Sequence, residues 1–189
     1  MQLGGNVGDP ALPVITRLLE VPMGAKVTVK VSGRQVQKVS LQESLGVKAP
    51  LMPRQPPQPK DETVVPFAHN PQAYTAPGFQ QEPLATVEDV GMLRDHRLVM
   101  VKVAPVAYEP TTGKLEVYND VQIDVGLDGA DLALTQKTKV TYGSRYFDWT
   151  NRATLVPESL RVEPANRPTS FLIVADRAFE AELKSFIEW

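Results

Sequence analysis

The sequence predicts a mainly β fold, because alternation of apolar and polar residues dominates the chain. Residues 26–31 read Lys-Val-Thr-Val-Lys-Val, and Leu98–Val103 and Leu115–Val125 repeat this pattern. Successive side chains of a strand point to opposite faces, so a period of two is typical of strands with one buried face. We see no amphipathic helix before the terminal segment. We therefore expect residues 1–165 to form an antiparallel β-sandwich that is jelly-roll-like.

A turn signal separates two of these strands. Residues 108–114 read Tyr-Glu-Pro-Thr-Thr-Gly-Lys. Pro110 fixes φ for the second position of a turn, and Gly113 can adopt the left-handed conformation that follows. The sequence therefore predicts an antiparallel hairpin in which Leu98–Val103 pairs with Leu115–Val125 around this turn.

The chain ends on a different pattern, in which a strand leads into a helix. Phe171–Ala175 is a short apolar run of the kind found in buried strands, and Asp176 is suited to cap a helix. Four apolar residues then follow at helical spacing, and Glu180 can pair with Lys184. We expect residues 166–189 to begin a separate α/β domain. The apolar positions of its helix are Phe179, Leu183, Phe186 and Ile187.

The segment from Pro50 to Pro83 contains nine of the 17 prolines. Proline has no backbone N–H, so this segment is unsuited to a central strand. Loops of this length within a compact domain tend to be functional or disordered. Because the segment also contains apolar side chains such as Phe67 and Phe79, we expect it to lie over a surface, which is that of the protein itself or of a partner.

Composition and charge argue against several classes of protein. The net charge is −2, from 20 basic and 22 acidic residues, and the basic residues are scattered rather than clustered as in nucleic-acid-binding proteins. No apolar run approaches the roughly 20 residues that cross a bilayer. The first residues lack the pattern of a signal peptide. The sequence contains no cysteine, so disulfides and thiolate chemistry are not expected within it.

The chain offers little for catalysis or metal binding. Its two histidines are His69 and His96. We interpret His96, which is adjacent to Asp95, as a surface histidine rather than a general base. With two histidines and no cysteine, the chain lacks the usual ligand set of a zinc site, so we do not expect one. We therefore expect no catalytic residue, metal or cofactor in this chain.

Four stretches resemble one protein family, in that family's order. Gly8–Val14 reads G-D-P-A-L-P-V and is similar to the G-x-P-x-L-P signature that opens the pro-regions of gingipain-type cysteine peptidases. Val103–Tyr118 is similar to the family's central hairpin. Phe171–Asp176 and Phe186–Trp189 resemble the first strand and helix of its caspase-like catalytic domain.

The resemblance implies a function for the whole chain. Residues 1–165 would be a prodomain that binds, helps to fold and inhibits its own catalytic domain, and residues 166–189 would be the start of that domain. The parent protein would be a secreted or cell-surface cysteine endopeptidase of a bacterium, with its catalytic His–Cys pair outside these 189 residues. A β-sandwich that binds carbohydrate or a cell-surface protein remains the alternative.

The resemblance also implies an inhibitory loop. In the family, a basic residue of the corresponding loop occupies the specificity pocket of the peptidase. Arg54 falls in this place, within the stretch Pro53-Arg54-Gln55-Pro56. Two further basic residues of the segment, Lys48 and Lys60, are less well placed. The simpler alternative is an exposed proline-rich loop whose arginine has no special role.

The junction between the two expected domains contains a candidate processing position. Arg161 lies in the stretch Ser159-Leu160-Arg161-Val162-Glu163, just before the terminal segment. Exposed polar stretches between domains are preferred sites of proteolysis. If the parent peptidase cleaves after basic residues, Arg161 is the position we expect it to use, and we expect few contacts to cross this stretch.

Overall fold

The computed structural model describes residues 2–58, 60, 65–144, 154–161 and 172–188. Its strands are β1 (Gln2–Gly4), β2 (Leu12–Val21), β3 (Lys26–Ser40), β4 (Ala85–Leu93), β5 (His96–Val103), β6 (Val106–Glu109), β7 (Lys114–Asp128) and β8 (Thr154–Leu155). Its α-helices are α1 (Leu41–Leu45), α2 (Pro71–Thr75), α3 (Leu132–Tyr142) and α4 (Glu180–Ile187).

The strands form two sheets, which confirms the prediction of a mainly β fold with antiparallel sheets. One sheet has the order β1-β2-β5-β4, and the other has the order β3-β7-β6. The neighbours in both orders are antiparallel. The short strand β8 joins the edge of β2 in parallel, opposite Leu18 and Leu19.

The core lies between the two sheets. Val103 of β5 packs there with side chains of β3, β6 and β7. Leu84, which precedes β4, closes the same cluster. The core cluster consists of Leu84, Ala107 and Tyr118, with Val31, Val103 and Val121 packed against them.

The predicted pairing of Leu98–Val103 with Leu115–Val125 is wrong. The first of these segments lies in β5, which pairs with β2 and β4, whereas the second lies in β7 of the other sheet. The hairpin around the predicted turn joins β6 to β7, and Gly113 has the expected left-handed φ of 64°. The chain changes sheets at Pro105, whose lack of an N–H interrupts the strand.

The alternation predicted for β7 is broken near its middle. Tyr118 is buried and Val121 packs on the same core, although three positions separate them. Asp120 has a left-handed φ of 50°, and the register with β3 shifts on either side of Gly33. Such an irregularity adds a residue to one strand and changes which side chains face the core.

Helix α3 lies within residues 1–165, for which the sequence predicts an all-β body. Asp131 caps its first turn, since its Oδ1 accepts a hydrogen bond from the Leu134 amide at 2.8 Å. The buried residues of the helix are Thr135 and Lys139. Both are polar and four positions apart, so the helix has no apolar stripe from which it could be predicted.

The terminal segment agrees with the sequence only in its helix. Asp176 accepts a hydrogen bond from the Ala178 amide at 2.9 Å and starts a 3₁₀ turn that leads into α4. Residues 172–176 do not form the predicted strand, and Phe171 and the boundary at 165/166 lie outside the described residues. The ion pair of Lys184 is with Glu188, at 3.9 Å, rather than with Glu180. Exposed apolar side chains in this segment include Leu172, Val174, Phe179, Phe186 and Ile187.

Within the described ranges, no helix has both the length and the apolar character needed to span a membrane.

Candidate functional site: the proline-rich loop

The Pro53–Pro56 loop lies against the N-terminal segment of the chain. The amide of Ala11 donates to the Met52 carbonyl at 2.9 Å, and the amide of Arg54 donates to the Asp9 carbonyl at 2.8 Å. Between these bonds Pro53 faces Pro10 in an antiparallel bridge. The two prolines form a non-hydrogen-bonded pair of the antiparallel ladder, in which neither backbone amide donates to the opposite residue. Proline therefore fits at both positions without loss of a hydrogen bond.

A second set of bonds holds the other side of the loop. The side-chain amide of Gln55 donates to the Ala68 carbonyl at 2.9 Å, and its oxygen accepts from the Ala68 amide at 2.9 Å. The Asn70 amide donates to the Gly8 carbonyl at 2.9 Å, and the Asn70 side chain donates to Asp9 Oδ1 at 2.8 Å. The loop is therefore held in place although it lies outside both sheets.

Arg54 is the exposed residue of this arrangement. Pro53 beside it is buried, whereas the Arg54 guanidinium reaches the surface and donates to the Gly5 carbonyl. Glu82 lies nearby. Its ion pair with Lys102 holds the pKa of the Glu82 carboxyl below the ordinary value against the effect of burial, and the Gly5 amide and the charge of Arg54 add to this. Arg54 thus places its charged side chain at the surface, on a backbone that hydrogen bonds hold in position.

The two lysines predicted as weaker candidates lie in different surroundings. Lys48 is exposed and lines a cavity of about 450 Å³ with His69 and Tyr74, whose rings stack at 4.9 Å. In the described part of the chain, no hydrogen bond holds the Lys48 backbone as bonds hold Arg54. Lys60 is exposed and is flanked by residues outside the described ranges. Pro56 is half-buried beside the braced turn.

The processing candidate Arg161 is exposed but adjoins the core. It follows a 3₁₀ turn, Glu158–Leu160, and its guanidinium lies 3.3 Å from the Glu158 carboxylate. Leu160 is only 2% exposed. The expectation that few contacts cross this stretch is therefore wrong for Leu160, which anchors the stretch in the protein.

A buried charge cluster is the feature that the sequence did not reveal. Lys139 Nζ of α3 lies 2.5 Å from Glu20 Oε1 of β2, and His96 Nδ1 of β5 lies 3.0 Å from Glu20 Oε2. Burial raises the pKa of Glu20, but the hydrogen bonds and charges of His96 and Lys139 outweigh it and hold the pKa below its ordinary value. His96 is 5% exposed, so its interpretation as a surface histidine is wrong. The three residues lie far apart in the sequence and show no local signal.

The family model Propeptide_C25 matches residues 2–144, which is more than half of the chain. The chain belongs to this family.

Curated relatives agree with this assignment. The chain is 34% identical over 190 residues to Lys-gingipain HG66 of Porphyromonas gingivalis, which covers 98% of this chain and 11% of that protein. It is 25% identical over 187 residues to Gingipain R1 of the same species, with 96% and 18% covered. The chain thus spans only a small part of the length of these relatives.

Two solved structures share the fold. The first describes the zymogenic latency of gingipain K from P. gingivalis, and it matches with a TM-score of 0.64 and 35% identity over 68% of this chain and 70% of that chain. The second is a complex of the P. gingivalis RgpB pro- and mature domains, and it matches with a TM-score of 0.55 and 25% identity over 67% and 63% of the two chains. These matches confirm the resemblance noted in the sequence.

Proposed function

We propose that this chain is the inhibitory and folding-assisting prodomain of a secreted or cell-surface, gingipain-like cysteine endopeptidase of a bacterium. Membership in a propeptide family carries this proposal. One relative of known structure was studied for its latency as a zymogen, and another was solved as a complex of its pro- and mature domains. The partner of this chain is accordingly the catalytic domain of its own peptidase.

The proline-rich loop is the part that blocks the catalytic cleft. A segment that is already extended and rigid loses little conformational entropy on binding, and the bonds of Arg54 to Gly8 and Asp9 provide that rigidity. The exposed guanidinium can form two parallel hydrogen bonds with a carboxylate in a specificity pocket. Pro53, Gln55 and Pro56 hold Arg54 in position for this contact.

Residues 166–189 begin the catalytic domain, and Arg161 is the processing position. The exposed apolar side chains of residues 172–188 support this division, because apolar surface of this kind is normally covered by another part of a protein. N-terminal sequencing of the mature peptidase tests the position. A mature N-terminus close to Arg161 is expected, and one far from this stretch rejects it.

Inhibition of the cognate mature peptidase by the purified chain tests the main proposal. We expect inhibition that is competitive with a short peptide substrate, because the loop and the substrate occupy the same cleft. The yield of active peptidase on refolding should also rise when the chain is present. Absence of inhibition, or inhibition that a saturating short substrate does not relieve, would reject a block of the cleft.

A further inference from the structure

Both the amide and the carbonyl of Arg54 form hydrogen bonds within the chain. We propose that Gly8 makes the peptide bond after Arg54 resistant to cleavage, so that the loop acts as an inhibitor instead of a substrate. The role as an inhibitor rests on the function proposed above. The resistance of the bond follows from the structure of the loop itself.

A peptidase needs the backbone of the residue that fills its specificity pocket. The substrate pairs with the enzyme as an extended strand, and its carbonyl oxygen must reach the donors that stabilise the developing negative charge. In this chain the Arg54 carbonyl accepts a hydrogen bond from the Gly8 amide at 2.8 Å, and the Arg54 amide donates to Asp9 at 2.8 Å. Both polar groups of the Arg54 backbone are therefore already engaged.

The residues next to Arg54 are held as well. The Gln55 side-chain amide donates to the Pro53 carbonyl at 3.0 Å and also bridges to Ala68. The Arg54 side chain is different, because it is exposed and the hydrogen bond that holds it goes to the Gly5 carbonyl. The side chain can thus enter a pocket while the backbone stays in place.

Glycine at position 8 is required for this arrangement. Gly8 has φ of 91°, a conformation that other residues rarely adopt. A Cβ atom at this position would lie 3.1 Å from the Asn70 nitrogen and 3.3 Å from the His69 carbonyl carbon. Substitution must therefore displace either the Gly8 amide or the segment behind it. Gly8 acts as a positioning residue for the Arg54 carbonyl.

The chain contains a matched comparison for this claim. Lys48-Ala49-Pro50 and Arg54-Gln55-Pro56 both place proline two positions after an exposed basic residue. The described residues give the Lys48 backbone no hydrogen bond like those of Arg54. A peptidase that cleaves after either basic residue should therefore cleave the bond after Lys48 faster than the bond after Arg54.

Native digestion of the whole 189-residue chain with trypsin, followed by mass spectrometry of the fragments, tests the proposal. Cleavage of a native protein follows the population of the locally open form. We expect cleavage after Lys48 to be at least about tenfold faster than after Arg54, which corresponds to one hydrogen bond at 1.4 kcal/mol per decade. Gly8→Ala should accelerate cleavage after Arg54 by about tenfold or more and leave cleavage after Lys48 unchanged.

A second variant keeps the test decisive if Gly8→Ala does not fold. Gln55→Ala removes the bridge to Ala68 and makes the residue after Arg54 the same as the residue after Lys48. It should also accelerate cleavage after Arg54 selectively. Equal cleavage after Lys48 and Arg54 in the parent chain would overturn the proposal. So would folded variants that leave cleavage after Arg54 unchanged or accelerate both bonds equally.

This experiment is independent of the inhibition assay, because it needs no cognate peptidase. If the bond resists trypsin but the chain does not inhibit its peptidase, the proposed function fails and the role of Gly8 stands. If the chain inhibits while Arg54 is cleaved as readily as Lys48, the proposed function stands and the role of Gly8 fails. With the cognate peptidase, Gly8→Ala should change a lasting inhibitor into one that is cleaved after Arg54 and loses its effect with time.

Discussion

The proline-rich loop and the buried cluster around Glu20 are both held by polar contacts, but of different kinds. The loop lies at the surface, and backbone hydrogen bonds to Gly8 and Asp9 fix the position of Arg54. The cluster is buried, and the side chains of Lys139 and His96 contact the two oxygens of the Glu20 carboxylate. Backbone hydrogen bonds hold the loop in place, whereas contacts between side chains hold the cluster together.

This difference decides what a substitution does in each region. Truncation of the Arg54 side chain leaves the backbone bonds of the loop intact, so the fold should tolerate it. Truncation of Lys139 leaves a buried carboxylate without its closest cation, which is far more destabilising than loss of an exposed pair. The loop can therefore carry a side chain that serves a partner, while the cluster fixes α3 against β2 and β5.

The largest effect on stability is expected for Lys139→Met. Breaking a buried ion pair by removal of one partner costs about 3–5 kcal/mol of unfolding free energy. Urea denaturation measures it, and Lys137→Met on the exposed side of the same helix is the matched control, with a change within about 0.5 kcal/mol. Equal changes for the two variants would show that the cluster does not stabilise the fold.

A smaller effect is expected on acidification. The pKa of Glu20 is lowered in the folded chain, so its ionised form is favoured by folding. Its contribution is present above the ordinary value of 4.5 and is lost as the pH falls through the folded pKa. His96 and Lys139 face this carboxylate directly, and Asp95 lies 3.6 Å from the far nitrogen of His96.

Urea denaturation at a series of pH values down to below 4.5 measures this contribution. Glu20→Gln should lower the unfolding free energy at neutral pH and weaken its decrease in acid. The lowered pKa of Glu82 acts in the same direction, so a residual decrease is expected in this variant. An unchanged acid dependence would contradict the assignment to Glu20.

The smallest effect is expected for Tyr108→Phe, beneath the proline-rich segment. The Tyr108 hydroxyl is buried and has no hydrogen-bond partner among the described residues. Its removal should change the unfolding free energy by less than about 0.5 kcal/mol, or increase it. Tyr118→Phe is the control, since that hydroxyl contacts Gln81 and Glu116 at 3.1 Å and its loss should cost about 1 kcal/mol. Thermal unfolding compares the two variants, and a larger loss for Tyr108→Phe would contradict this.

The sequence predicted features that depend on neighbouring residues. The half-buried strand at residues 26–31, the left-handed Gly113 and the cap at Asp176 all follow from local patterns, and the structure confirms them. The partner of β7 could not be predicted, because the choice between sheets depends on where Pro105 ends the preceding strand. Helix α3 could not be predicted either, because it packs on the sheet through polar residues and not through an apolar stripe. Its buried Lys139 contacts Glu20 of β2.

For the site, composition indicated a stiff loop and the family resemblance indicated Arg54. The hydrogen bonds that hold the loop in place could not be predicted in the same way. Gly8 comes from a segment that is distant along the chain, and Ala68 lies 13 positions after Gln55, so no local pattern connects them with the loop. The Glu20 cluster was missed for the same physical reason, because its members meet only when β2, β5 and α3 pack together.

The inhibition constant of Arg54→Ala against the cognate mature peptidase tests the central claim most directly. Loss of one partner of a desolvated charge pair at an interface costs about 2–5 kcal/mol, so the inhibition constant should rise by roughly 30-fold or more. The unfolding free energy should change by no more than about 0.5 kcal/mol, and Lys48→Ala and Lys60→Ala should inhibit like the parent chain. An Arg54→Ala chain that inhibits as well as its parent would contradict the account.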